Sequence, residues 1–181
     1  ASELGAYFLD LDDELRPFPL PNASNSAVYK FMSDSDGALW ISTYGRLLFR
    51  DNSGDWQWVE PSQLDQSIWF ADIFRDNQNN IWLASFSEGL WLAHEGRIER
   101  RSAISNMTEA VMAISQAPDG KLWVANRSGV GYFDYNKNFV NQIPSNQFGR
   151  AAVHDLQFDG DRLYIATGRG VFYYENQTLY T

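Results

Sequence analysis

The sequence predicts an all-β chain folded as a β-propeller of four-stranded antiparallel blades. Three observations lead there: a self-similar pattern with a period of about 41 residues, tight-turn dipeptides inside each period, and strands that are apolar on consecutive positions.

The period is set by an aromatic anchor. Ala38-Leu39-Trp40-Ile41-Ser42-Thr43 aligns with Asn80-Ile81-Trp82-Leu83-Ala84-Ser85, with Lys121-Leu122-Trp123-Val124-Ala125-Asn126 and with Arg162-Leu163-Tyr164-Ile165-Ala166-Thr167. Upstream of each anchor stands an apolar pair three residues apart (Val28 and Phe31, Phe70 and Ile73, Val111 and Ile114, Val153 and Leu156), which starts the first strand. A polar turn follows: Asp36-Gly37, Asn79-Asn80, Asp119-Gly120 and Gly160-Asp161 read as two-residue hairpins, because these residue types accept positive φ. The anchor segment is the second strand. Its unbroken apolar run signals burial on both faces, as between two neighbouring blades. Two residues after the anchor the chain is always small (Ser42, Ala84, Ala125, Ala166), which reads as room for the next blade's Trp or Tyr. A Gly then opens the loop to a third strand (Gly45, Gly89, Gly129, Gly170), and a more polar fourth strand lies outermost. On this reading Trp40, Trp82 and Trp123 are core, whereas Trp56 and Trp58 lie on an outer strand facing solvent.

Residues before the first full repeat obey the same scheme, since Tyr7-Phe8 stands as far from Pro19 as Tyr132-Phe133 stands from Pro144. The chain therefore divides into the outer strands of an incomplete blade over 1–25 and blades over 26–65, 66–107, 108–149 and 150–181. Eighteen strands are expected, which is not a whole number of four-stranded blades. A partial propeller with raw apolar faces follows, and such faces favour self-association or pairing with missing chain.

Composition bounds the chemistry. A content of 15% aromatic and 44% hydrophobic residues supplies enough apolar surface to offset chain ordering. With 14 Lys and Arg against 23 Asp and Glu, the formal charge of −9 and the lack of a basic stripe exclude a phosphate-backbone binder. No apolar run is long enough for a membrane helix, so this segment does not insert directly. The absence of Cys excludes disulfides, thiolate zinc sites and Cys nucleophiles. Only His94 and His154 remain as imidazoles, and no metal or other cofactor is expected. His94 falls in a polar turn. His154 stands beside Asp155 on an innermost strand, but no motif places a nucleophile or a second acid next to the pair. The run Asp10-Leu11-Asp12-Asp13-Glu14 lacks the central Gly of a calcium loop and reads as a solvated hairpin.

The pattern of apolar-x-x-apolar, Asp, Gly, Trp, small, Ser/Thr and Gly resembles the two-component regulator propeller repeat. Its clearest copies are Val28 to Leu47, with Asp34, Gly37, Trp40, Thr43 and Gly45, and Phe70 to Leu90, with Asp76, Trp82, Ser85 and Gly89. The third copy has Ala117 in place of the Asp, and the fourth has Tyr164 in place of the Trp. The resemblance implies a periplasmic sensor propeller, commonly seven-bladed, in a bacterial receptor whose output is a histidine kinase or a diguanylate cyclase.

Function is then expected on the rim built by the loops that follow the second strands. Those loops hold Tyr44 and Arg46, Phe86 and Glu88, Arg127, and Arg169, and His154 is expected at the nearby channel mouth. Aromatic faces and Arg forks suit a small-molecule ligand, a saccharide or an organic acid, bound without turnover. Two rivals stand beside this reading. One is a propeller lyase or glycoside hydrolase using His154 with the channel carboxylates Asp72 and Asp155; the other is a protein-docking scaffold.

Overall fold

The computed structural model describes residues 6–18, 20–21, 27–33, 37–44, 46–59, 68–94, 97–100, 109–134 and 136–181. Eighteen strands occur among them. β1 (Tyr7–Leu9) and β2 (Leu15–Pro17) pair as a two-stranded sheet. The first blade holds β3 (Val28–Ser33), β4 (Leu39–Thr43), β5 (Arg46–Arg50) and β6 (Trp56–Val59). The second holds β7 (Phe70–Arg75), β8 (Ile81–Ser85), β9 (Gly89–His94) and β10 (Arg97–Arg100). The third holds β11 (Val111–Gln116), β12 (Leu122–Asn126), β13 (Gly129–Phe133) and β14 (Phe139–Pro144), and the fourth β15 (Val153–Asp159), β16 (Arg162–Thr167), β17 (Gly170–Glu175) and β18 (Thr178–Tyr180). Each blade is an antiparallel meander in chain order, so every sheet is closed by local hairpins. The innermost strands stand side by side, β3 against β7, β7 against β11 and β11 against β15. This is a partial β-propeller, as the repeat predicts.

Each blade meets the next through its second and third strands. Trp40, Leu47 and Val59 of the first blade form one core with Ile68, Phe70, Ile73 and Leu83 of the second. The small residue after the anchor has a different purpose from the one expected. Ser42 is fully buried and its Oγ donates to the Phe70 carbonyl at 2.5 Å, while Ala84 packs with Val111 and Ile114. The room is taken by the neighbouring innermost strand rather than by an anchor aromatic, because a missing side chain lets two backbones approach.

Two further expectations are corrected. The turns of the second and third blades are three-residue loops: Asp76 N donates to Asn80 O and Asn79 N to Asp76 O, and Ala117, Lys121 and Gly120 repeat the pattern. A left-handed residue, Asn79 at φ 64° or Gly120 at φ 85°, closes each loop. Only the fourth blade, with Asp159 facing Arg162, keeps the two-residue form, and Asp36 of the first turn lies outside the described residues. Trp82 is half-buried rather than core, because its indole turns toward Asp76 at the turn end of the blade. Trp56 and Trp58 are also half-buried, against Ala6, Val28, Ile41 and Leu48. The acidic hairpin is solvated as expected, with Asp10 Oδ1 accepting the Asp12 and Glu14 amides.

The terminal blades carry uncovered faces. Leu47, Leu90, Val130 and Val171 hold one register position, opposite Ser42, Ala84, Ala125 and Ala166. The first three are 1%, 4% and 0% exposed; Val171, with no following blade against it, is 63% exposed. On the other side Phe31, which matches the buried Ile73, Ile114 and Leu156, is 38% exposed.

Candidate ligand-binding site

One end of the ring is built from the loops after the second strands and the segments that lead into the first strands. Backbone bonds tie the two together: Tyr44 N to Ala27 O, Phe86 N to Trp69 O and Gly168 N to Ala152 O. The last residue of each second strand shapes its loop. Ser85 Oγ accepts the Ser87 and Glu88 amides, Asn126 Oδ1 accepts those of Ser128 and Gly129, and Thr167 Oγ1 accepts that of Arg169. These buried polar residues explain the Ser/Thr of the repeat, since each satisfies amides that the tight loop would leave unpaired.

On this rim Tyr44 and Phe86 come together through a residue the sequence did not flag. Trp69 stacks on Phe86 with centroids 4.2 Å apart and 30° between planes, and Tyr44 lies 5.6 Å from the same indole. Tyr29 joins at 5.1 Å. The result is a four-ring platform across the junction of the first and second blades, with Tyr44 its most exposed member.

A β-bulge delivers Tyr29. Each innermost strand slips register after its first residue, between Val28 and Lys30, Phe70 and Asp72, Val111 and Ala113, and Val153 and Asp155. The extra residue is re-aimed out of the sheet. Tyr29 and His154 are therefore equivalent positions, one in the aromatic platform and the other exposed beside Gly168. The signal was present in the sequence as an apolar pair at a spacing of three where a regular strand would give two or four.

The remaining candidates are dispersed. Arg127 and Arg169 are exposed, and neither bonds or stacks with the platform among the described residues. Glu88 is half-buried and partnered, and the Arg46 side chain, like that of His94, lies outside the described residues. No cluster of three or more His, Asp and Glu suited to a metal occurs among the described residues.

Of the two carboxylates named as acid and base, Asp72 is committed elsewhere. Asp72, with a side chain 4% exposed, accepts Ile73 N and Ile114 N at 2.8 Å each and pairs with Lys30 at 2.9 Å. Burial pushes its carboxyl above the usual range, against the pull of Lys30. Asp155, 57% exposed, lies 3.8 Å from the same ammonium. Lys30 thus links the first blade to the second and the fourth.

The family described as two component regulator propeller matches residues 22–45. No curated protein matches the sequence. Among solved structures, the chain is similar to the extracellular domain of a one component system assigned in B. thetaiotaomicron, at 14% identity and a TM-score of 0.75 over 96% of this chain. It spans only 25% of that domain. It is also similar to virginiamycin B lyase from Staphylococcus aureus (16% identity, TM-score 0.73, 98% of this chain and 62% of the lyase). A gluconolactonase from Xanthomonas campestris is similar at 15% identity and a TM-score of 0.71, over 98% of this chain and 65% of the enzyme. At such identities these likenesses speak for the fold alone. The chain thus carries the two component regulator propeller repeat, matched at residues 22–45, within a β-propeller fold.

Proposed function

We propose that this chain is part of a sensory propeller that binds a small molecule without turning it over, in the periplasmic region of a bacterial receptor whose kinase or cyclase output lies elsewhere. The observation that carries the reading is the Tyr29–Tyr44–Trp69–Phe86 platform. Four rings held at a blade junction, one largely exposed, offer flat apolar area at low entropic cost to a sugar ring or a planar acid. The matched repeat and the similarity to the extracellular domains of bacterial signalling proteins support the sensory role. Ligand contact extends in this reading to Arg46, Glu88, Arg127, His154 and Arg169 around the same rim. The commitment of Asp72 to backbone amides and Lys30 argues against its use as a catalytic base.

Calorimetry of the receptor domain against a panel of oligosaccharides and organic acids tests the proposal, with Trp69→Ala, Arg127→Ala and Arg169→Ala as variants. The expected result is saturable heat that Trp69→Ala reduces at least tenfold in affinity, with no product detected. Product formation that disappears in His154→Ala would establish the enzyme reading instead.

A further inference from the structure

The opposite end of the third blade holds a cavity. In the second blade the turn residue Asp76 plugs the space over its anchor: Oδ2 accepts Trp82 Nε1 and Asn80 Nδ2, each at 2.8 Å, and Oδ1 accepts the Gln78 and Asn80 amides. The third blade has the same turn, bonded in the same register, with Ala117 where Asp76 stands, Lys121 where Asn80 stands and Trp123 where Trp82 stands. Its carboxylate is missing. Trp123 is only 8% exposed as a residue, but its indole N–H, which no described residue accepts, is not shut away from solvent.

The space is real. A cavity of about 490 Å³ is lined by Ala117, Lys121 and Trp123, with the aromatic walls Tyr132, Phe158 and Tyr174. The walls are fixed by packing: Trp123 meets Tyr132 at 5.1 Å, Phe158 edge-on at 5.8 Å and Tyr174 at 6.1 Å, and Gln142 Nε2 holds the Tyr174 hydroxyl at 2.6 Å. Lys121 Nζ stands over the Tyr132 ring at 5.3 Å. A ligand oxygen at the Trp123 indole N–H would take the part that the Asp76 carboxylate plays for Trp82, in place of solvent.

We propose that this cavity binds a small monocarboxylate carried on a flat apolar body, with the carboxylate in the place that the Asp76 side chain fills one blade earlier. Trp123 Nε1 and Lys121 Nζ are the donors, and the rings of Tyr132, Phe158 and Tyr174 enclose the body. Two acidic groups set the selectivity. Asp119 shares Lys121 at 2.6 Å, and Asp161 lines the exposed rim, so a second negative charge on the ligand is disfavoured. The site is independent of the rim platform, because the 117–121 turn joins β11 to β12 whereas the platform loops join second strands to third strands.

The test follows the Trp123 indole signal in ¹H–¹⁵N spectra, identified by its loss in Trp123→Phe, as benzoate is added to the chain. A saturable downfield shift is expected with benzoate, none with benzyl alcohol and a weaker response with phthalate. Ala117→Asp supplies the missing carboxylate internally, so it should shift the indole signal before any ligand is added and weaken benzoate binding at least tenfold. Lys121→Met, which leaves the indole free, should weaken binding less. The absence of a saturable shift, equal shifts with benzoate and benzyl alcohol, or unchanged benzoate binding in a folded Ala117→Asp variant would overturn the proposal.

Discussion

Asp72 Oδ2 accepts the backbone N–H of Ile114 at 2.8 Å, so a carboxylate rooted in the second blade holds the innermost strand of the third. Asp155 occupies the corresponding position of the fourth blade and repeats the bond to its own following amide, Leu156 N. Its other contact is the Lys30 ammonium, shared with Asp72. The centre of this partial ring is therefore held by charge as well as by apolar contact.

Replacing Lys30 by Met leaves the Asp72 carboxylate buried without its counter-ion. Because the ammonium end keeps some contact with solvent, the expected loss is about 2–3 kcal/mol rather than the larger cost of breaking a fully buried pair. Urea denaturation of the variant against the parent chain measures it, and an unchanged midpoint would count against the clamp.

The pH dependence of that loss has a definite sign. Burial lowers the Lys30 pKa, but the Asp72 carboxylate, helped by Asp155, more than reverses this, and the net value is above the ordinary 10.5. The contribution of the pair is whole below about 10.5 and disappears as pH rises through the higher folded value. The stability gap between the parent and Lys30→Met should thus be constant from pH 7 to 9 and narrow above 10.5. Asp72 acts in the opposite sense: with its pKa raised chiefly by burial, it takes up a proton more readily folded than unfolded and does not itself drive acid unfolding.

Gly131 is required by contact rather than by turn geometry. A Cβ there would lie 2.0 Å from the Val140 carbonyl, at the bulge between β13 and β14. Gly131→Ala should cost about 1–3 kcal/mol as an overpacking change. A Cβ on Gly160 meets nothing within 4 Å, so Gly160→Ala should cost only the left-handed backbone strain of about 1–2 kcal/mol. Thermal melts of the two variants compare the mechanisms.

Among the anchors, Trp40 is almost completely buried and Trp82 is not, so their alanine variants should separate. Trp40→Ala is expected to cost about 3–5 kcal/mol. Trp82→Ala should cost less and resemble Trp58→Ala, which is also half-buried. Equal losses at Trp40 and Trp82 would mean that the Asp76–Trp82 bond carries as much as deep burial does.

Val171 and Phe31 should make the isolated chain associate, since each is an apolar position that the intervening blades keep covered. Light scattering is expected to show an average mass that rises with concentration. Val171→Arg should suppress the rise without lowering the melting temperature, because the side chain is already in solvent. A monomer at every concentration would contradict this expectation.

The sequence by itself determined the period, the strands and the four-stranded blade, because each repeat writes local signals: an anchor aromatic, a turn and a Gly within a few tens of residues. It also marked Tyr44 and Phe86, which flank equivalent loops, but not Trp69, whose place between them depends on two blades packing side by side. Whether a strand is covered on one face or two was likewise beyond a local reading: Ile41 and Ile165 are both fully buried, while Leu47 and Val171, alike in pattern, differ because only one has a neighbour. The departure at Ala117 was visible as a missing Asp, but its consequence was not. Only the assembled blade reveals that the lost carboxylate leaves an indole N–H facing a cavity, since hydrogen bonds between residues of one repeat need the turn, the strand register and the next blade's rings all in place.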